Sequence, residues 1–486
     1  MSGLGVWTPF VPLALGVLAV YLVARVFTRC NGVLASLTAL AYALSLLSVL
    51  QLVGRTPAEG YPSWGQVGGE AILRADPAAL LLALVSLVLG LAVALYSGRY
   101  LALDRRYENY YPLLLLLSSG VLGMLMAVEL FTLYLFTVLT SAAAYVLVAF
   151  RRRTETAVEA GFKYAIMGGM AAILILAGIG YIYRAGNGLT LPLPRGQGAW
   201  PTVGMGLLLA GYAVKGALVP AHAWLPDAHG RAPSSVSAML SGIVIEANVY
   251  VMVKVALGVG WPARQLGWLL IGMALLNMTV GNVMALMQDY GKRLLGYSSI
   301  AQVGYILLAW GVGLVYGLPE AIAAGLLLLV AHAAMKGLAF LSKGVCHFYC
   351  DATRVEELDG MAHRLPIAAG TFIVALAGLA GIPPLAGFVA KWQILVAALQ
   401  GAGWITWLVI GGLLLNSLLS LGYYVPLMGR ILKPHDGAHE GMRVSYWMVV
   451  PTLGLSALVV LLGVSPHMLW NLVQEAAQFL LLWGQG

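Results

Sequence analysis

Eight ionisable side chains stand where an apolar chain would not be expected to keep them. Glu129, Lys163, Lys215, Glu246, Lys254, His332, Lys336 and Lys391 all fall within, or at the edge of, long hydrophobic runs. A charged group in hydrocarbon costs several kcal/mol unless it is paired, hydrated or neutralised. A lysine ammonium holds its proton less tightly when desolvated and more tightly when a carboxylate approaches. Each pKa unit of that difference is worth about 1.4 kcal/mol. A lysine–carboxylate contact that opens and closes therefore releases and recaptures a proton. A water-linked row of such groups conducts protons without making or breaking any heavier bond.

Spacing groups these residues. His332 and Lys336 are four apart and share a helix face, and Glu246 and Lys254, eight apart, lie close to one face. Glu129, in "MAVELFTLYLF", needs a cation from another run, and Lys215 is the natural partner. The plainer reading is a set of salt bridges that fix packing. For Lys163, near the start of its run, that reading is a stem that snorkels to the interface.

Two stretches combine a lysine with helix breakers. In "GYAVKGALVPAHAWLPDAHGRAPSS", Pro220 follows Lys215 by five residues, and His222, Asp227, His229 and Arg231 come next. Histidine exchanges protons near neutrality, so His222, Asp227 and His229 are candidates for an entry at the cytoplasmic edge. The alternative is an ordinary charged loop in which Pro233, Ser234 and Ser235 start the next helix. In "GIPPLAGFVAKW", Gly381, Pro383, Pro384 and Gly387 precede Lys391. Proline removes a backbone donor and clashes with the preceding turn. Unwound backbone is tolerated in a membrane only where protein or a wet cavity surrounds it.

The elements that must position these groups follow from composition. Of 486 residues, 61% are hydrophobic and 9% charged, with mean hydropathy +0.89. Soluble domains carry about 25% charged residues. The long runs match the roughly 20 residues that cross a bilayer as a helix, whereas a membrane barrel would show alternating segments of about ten. The sequence predicts an all-α polytopic membrane protein with about 14 transmembrane helices, from 8–27 to 446–464. The seventh (203–221) and the twelfth (366–396) are expected to be broken. Breaks five helices apart lie in oppositely oriented halves, the pattern of two inverted five-helix repeats. Predicted divisions are helices 1–3 (1–110), repeat A with helices 4–8 (111–257), repeat B with helices 9–13 (267–427), and helix 14 with a short tail (446–486). The apolar tail, Leu469 to Trp483, is too short to cross and should lie at the interface or against a partner.

Alternate loops differ in cations. One set carries Arg25, Arg29, Arg105, Arg106, Arg151, Arg152, Arg153, Lys292, Arg293, Arg430 and Lys433 among others. The other holds Arg55, Arg74, Arg184, Arg195 and Arg264. Cytoplasmic loops are the basic ones, so both termini are expected outside a prokaryotic cell membrane. Basic loops beside anionic lipid account for the net charge of +8 without a nucleic-acid partner. Cys30, Cys346 and Cys350 make no metal-site spacing, and "CHFYC" is not C-x2-C. No phosphate-cradling glycine loop or iron–sulfur cysteine set is present. No cofactor is expected in this chain.

The segments "KGALVPAHAWLPDAHGRAPSSVSAMLSG", "MQDYGKRLLGYSSIAQVGY", "HAAMKGLAFL" and "GIPPLAGFVAKW" resemble the proton-translocating antiporter-like subunit family. It comprises large membrane-arm subunits of respiratory complex I, Mrp-type sodium/proton antiporters and membrane-bound hydrogenases. The resemblance covers about residues 70–430. It implies a 14-helix core with two inverted five-helix bundles and a polar axis across the membrane plane. On this resemblance Glu129 is the fifth-helix glutamate and Lys215 its seventh-helix partner. His332 and Lys336 form the central connection, and Lys391 serves the exit on the broken twelfth helix. One departure stands out. Glu246 occupies the place where the family usually has a lysine, and Lys254 the place where it often has arginine. Either Lys254 takes over the relay role or the central connection is retuned, and a carboxylate there also suits sodium. The implied function is proton translocation within a multisubunit complex of other membrane subunits, with lipid around it and redox centres, where present, in peripheral partners. The alternatives are a freestanding cation/proton transporter and a non-conducting scaffold for a redox module.

Overall fold

Apolar segments in lipid must satisfy their own backbone, and helices do so within one segment. The computed structural model describes residues 5–27, 30–53, 61–67, 70–104, 106–152, 154–186, 188–193, 198–434 and 442–483. Of the loop cations named above, Arg29, Arg55, Arg105, Arg153 and Arg195 lie outside the described residues. The chain begins with α1 (Phe10–Val26) and α2 (Asn31–Val53). A short antiparallel hairpin follows, β1 (Ser63–Val67) paired with β2 (Glu70–Arg74). Then come α3 (Pro77–Tyr100), α4 (Tyr110–Met126), α5 (Leu130–Val148), α6 (Glu155–Arg184), α7 (Ala199–Lys215) and the short α8 (Trp224–Arg231). The second half contains α9 (Ser234–Met239), α10 (Ile245–Gly258), α11 (Ala263–Leu286), α12 (Gly291–Tyr316) and α13 (Pro319–Cys350). It continues with α14 (Met361–Arg364), α15 (Pro366–Ala380), α16 (Ala386–Leu399), α17 (Trp404–Leu432), α18 (Tyr446–Val464) and α19 (His467–Trp483). Among the described residues, eleven helices are long and apolar enough to span a membrane, and Phe10–Val26, Pro366–Ala380 and Ala386–Leu399 are shorter apolar helices. The hairpin apart, this is an all-α polytopic membrane protein.

The helices divide by exposure. The continuous stretch Ser234–Gly258 and α13 are buried along their apolar windows, and α12 almost so. By contrast α1, α6 and α17 turn Leu15, Leu18, Phe162, Ile173, Leu414 and Leu418 outward, the face expected against lipid. Helix α13 is the axle, packing on α3, α12, α15, α16, α18 and α19. Glu246, Lys254, His332 and Lys336 lie on these inner helices.

Local chemistry sets the ends and breaks. Asp76 caps α3, its Oδ1 accepting from the Ala79 N–H at 2.8 Å, and Pro77 takes the first helical position, where no amide is needed. Helix α7 stops at Lys215, and Ala217 then adopts φ +53°, which a residue with a Cβ rarely does. The run 366–396 is two helices. α15 ends in Gly381 at φ +84°, a conformation glycine enters freely, and α16 starts five residues later. A Cβ on Gly387 would sit 1.9 Å from the Gly378 carbonyl oxygen, so only glycine allows α16 to approach α15 this closely. Between α9 and α10, Leu240–Val244 form a π turn, a single widened turn inside a continuous helix. The C-terminal tail packs on α3 and α13 of its own chain, with Val473, Ala476, Leu480 and Trp483 buried. Its amphipathic pattern is used inside the protein.

Candidate functional site

The helical repeat puts His332 and Lys336 on one face of α13, and both are fully buried. Glu246, just past the π turn, reaches this face from α10. His332 Nδ1 and Glu246 Oε1 share a hydrogen bond, while Glu246 Oε2 and His332 Nε2 have no protein partner. The carboxylate–imidazole couple thus shares a proton between its members and has one unpartnered polar atom on each side. Lys336 Nζ donates to the Leu295 carbonyl at 2.8 Å and to Ser298 Oγ, both on α12. Lys336 also lies within Coulombic reach of Glu246 and His332.

His229 belongs to this cluster. The sequence placed it with His222 and Asp227 at a wet edge, and the structure corrects that. Helix α8 is amphipathic, so Leu225 and His229, four apart, both face inward. His229 is fully buried, its ring stacked on Phe340 at 4.8 Å with neither nitrogen hydrogen-bonded, and within Coulombic reach of His332. His222 remains half-buried near the surface, its Nδ1 3.2 Å from the Pro220 carbonyl oxygen. Asp227 points out to Lys163 at 3.3 Å and Arg293 at 3.5 Å. Lys163 also meets Glu159 at 2.7 Å with half its side chain exposed. Such exposed pairs contribute roughly 0–1 kcal/mol.

Lys215 and Glu129 do not meet. Glu129 caps α5, its carboxylate accepting from the Phe131 N–H at 2.9 Å and the Thr132 N–H at 2.6 Å. Lys215 Nζ instead donates to Ser141 Oγ at 2.7 Å and to the Gly168 carbonyl at 3.4 Å. Ser141 is twelve positions along α5 from Glu129, about 18 Å at the rise of an α-helix. A glutamate at the helix start serves the unpaired amides there, and the sequence alone does not reveal how deep along α5 the lysine lands.

At the second break, Lys391 Nζ donates to the Leu379 carbonyl at 3.3 Å and lies 4.5 Å from the Tyr305 ring centroid. The last carbonyls of a helix lack intrahelical partners, so the end of α15 supplies the oxygen that solvates this ammonium. Lys215, Lys336 and Lys391 thus rest on hydroxyl, carbonyl or aromatic groups. Among the described residues none of the three has a carboxylate ion-pair partner. The Ser141 and Ser298 hydroxyls donate to the Thr137 and Leu295 carbonyls, so their oxygens are free to accept from Lys215 and Lys336.

Lys254 differs. Its ammonium pairs with Asp76 Oδ2 at 3.2 Å and donates to the Leu125 carbonyl at 2.8 Å, with both side chains almost fully buried. Sequence reasoning missed Asp76. The Asp-Pro start of a helix signals only a cap, and its partner lies 178 positions away. Among the described residues no group of three or more His, Cys, Asp or Glu is arranged to hold a metal ion.

The family model described as NADH:quinone oxidoreductase/Mrp antiporter, TM, matches residues 127–418. The chain is 33% identical over 446 residues to NADH-quinone oxidoreductase subunit N of Desulforudis audaxviator, covering 85% of each chain. It is 31% identical over 471 residues to F(420)H(2) dehydrogenase subunit N of Methanosarcina mazei, covering 92% of each. Among solved structures it is similar to a chain of an archaeal membrane-bound sulfane sulfur reductase, at 26% identity and TM-score 0.85, over 98% of this chain and 97% of that one. It also matches a chain of Thermus thermophilus respiratory complex I, at 26% identity and TM-score 0.77, over 95% and 98%. A chain of the Dietzia sp. Mrp complex shares the fold at 22% identity and TM-score 0.87, over 99% and 100%.

Proposed function

Because this chain belongs to the NADH:quinone oxidoreductase/Mrp antiporter family of membrane subunits, we propose that it moves protons through its buried relay as one subunit of a larger membrane complex. The observation that carries the reading is the buried cluster of Glu246, His332, Lys336 and His229, together with Lys215 and Lys391, each buried at a helix break. A protein spends stability to bury such groups, and a relay is the use that needs all of them. In this scheme a change of field at one end alters the proton affinity of Lys215. His229 then links Lys215 to Lys336 and the His332–Glu246 couple, and Lys391 passes the proton on. Charges interact strongly across an apolar interior, so the signal needs no large helix movement. Ser141 takes the place at Lys215 that the resemblance gives to a glutamate.

Residues 111–257 and 267–427 are proposed as inverted repeats, each with its break beside a lysine. The basic loops face the cytoplasm and both termini the outside. Partners are other membrane subunits, and any redox centres belong to peripheral ones, as the names of the related complexes suggest. The test is proton translocation by the complete complex in liposomes. Lys215→Ala and Lys336→Ala should each lower it at least about tenfold while the complex stays assembled. Normal translocation in both would leave a scaffold. Transport by the isolated chain would make it a freestanding transporter.

A further inference from the structure

We propose that Asp76 and Lys254 form an outer terminal of the relay, and that the C-terminal helix α19 closes it through Trp483. The inference rests on the relay reading above and adds to it a branch and a gate.

Glu246, Tyr250 and Lys254 are spaced four and four along α10, so they rise on one face in steps of about 6 Å. The Tyr250 hydroxyl is close to the Asp76 carboxylate, and its ring centroid is 5.9 Å from Lys254 Nζ, yet the hydroxyl completes no hydrogen bond. A buried hydroxyl left open between two charged sites suits transfer, because it can give one proton and accept another while staying neutral. The series leads from the His332–Glu246 couple to the level where α3 begins and α10 ends.

At that level the Asp76–Lys254 pair is sealed. The Trp483 indole N–H donates to the Lys254 carbonyl at 3.0 Å, and the Lys254 ammonium is 5.7 Å from the Trp483 ring centroid. Arg74, two residues before Asp76, lies over the same ring at 5.0 Å. Immediately outside is a groove of about 360 Å³ between the β-hairpin end, α3 and α19. Ala75 and Pro77, the neighbours of Asp76, line it, as do Tyr61, Glu475 and Gln478. Asp76 itself has no exposed surface. A largely apolar groove, with Glu475 and Gln478 among its lining, thus stops one residue short of a buried ion pair, and Trp483 rests on the Lys254 side of that pair.

The transfer step balances simply. A Lys254 N–H bond breaks and an Asp76 O–H bond forms, taking the pair from charged to neutral. Asp76 then gives that proton to groove water, and Lys254 is recharged from the Tyr250 side. When Trp483 is seated, water cannot reach Asp76. When α19 lifts, it can.

The experiment uses the complete complex in liposomes. Ala75→Cys is the reporter, in a chain whose Cys30, Cys346 and Cys350 are alanine, probed with a membrane-impermeant thiol reagent from each face. Trp483→Ala should raise labelling at Ala75→Cys about tenfold or more from the face on which α3 begins. Trp483→Phe, which keeps most of the cover, should raise it less. Asp76→Asn should lower proton translocation about tenfold or more, and Asp76→Glu should restore part of it. Labelling indifferent to Trp483, labelling from the opposite face only, or parental translocation in Asp76→Asn overturns the proposal. Labelling reports water access alone. If Lys215→Ala and Lys336→Ala translocate normally, the relay reading fails separately from the gate.

Discussion

At the scale of single residues, what matters is what each buried charge rests on. Asp76 and Lys254 are the one buried carboxylate–ammonium pair among the described residues. Removing one partner of such a pair leaves the other charge unmatched in the interior, a loss of about 3–5 kcal/mol. Lys254→Met should therefore lower the melting temperature of the detergent-purified complex markedly, and adding Asp76→Asn should recover most of the loss. A double variant as unstable as the single would show that the pair does not couple. His229 offers a cleaner separation of stability from transport. His229→Phe keeps an aromatic ring on Phe340 and removes the titratable nitrogens, so translocation should fall by up to about 10²-fold with a smaller effect on melting than the loss of the Asp76–Lys254 pair. Parental transport would remove His229 from the route. The sequence displayed the lysines, Glu246 and His332 plainly, because a charge in an apolar run is conspicuous. It did not display their partners. Asp76 both caps α3 and pairs with Lys254, and Glu129, expected beside Lys215, instead accepts from the first amides of α5.

At the scale of elements, breaks and connectors hold these side chains in place. Gly387→Ala would push a methyl group against the Gly378 carbonyl, an overpacking that costs about 1–3 kcal/mol. It should spread α15 from α16 and move Lys391 off Leu379. Hydrogen exchange at the α15–α16 junction would show faster opening, and unchanged protection would mean the helices shift at no cost. On the basic-loop side, Asp359 ties the segment after α13 to the end of α17, through Lys433 at 2.8 Å and Arg430 at 3.1 Å. Hydrogen bonding to Lys433, with Arg430 adding to it, holds the Asp359 carboxyl below its ordinary range. A depressed carboxylate contributes its stability above the unfolded value and loses it as pH falls through the folded one. The tie should therefore hold at neutral pH and weaken only in acid, by no more than about 1 kcal/mol for so exposed a pair. Asp359→Asn should remove that acid sensitivity from the exchange of residues 356–364. The sequence marked both interruptions through proline and glycine. It read 366–396 as one apolar stretch, because hydropathy does not register five residues of turn between two helices.

For the whole molecule, the all-α polytopic architecture is what composition led us to expect. Long apolar runs are legible because lipid leaves the backbone few choices. Sidedness rests on loop cations. Arg106 and Lys433 should be reached by an impermeant probe from one face and Arg184 and Arg264 from the other, when each is replaced singly by cysteine. Labelling of all four from one face would refute the proposed orientation. The tail's cover was not legible because an amphipathic helix looks the same whether lipid, a partner or its own chain covers it. The π turn at Leu240–Val244 has a consequence for the whole assembly. It stores one residue beyond the regular winding, and one residue corresponds to about 100° of rotation. The widened turn absorbs that residue, so Glu246, Tyr250 and Lys254 stay in phase with their partners; winding Leu240–Val244 as regular α-helix with every residue kept would turn all three away together. The protein's ionic interior is thus timed by one turn, as a cam is timed by its key.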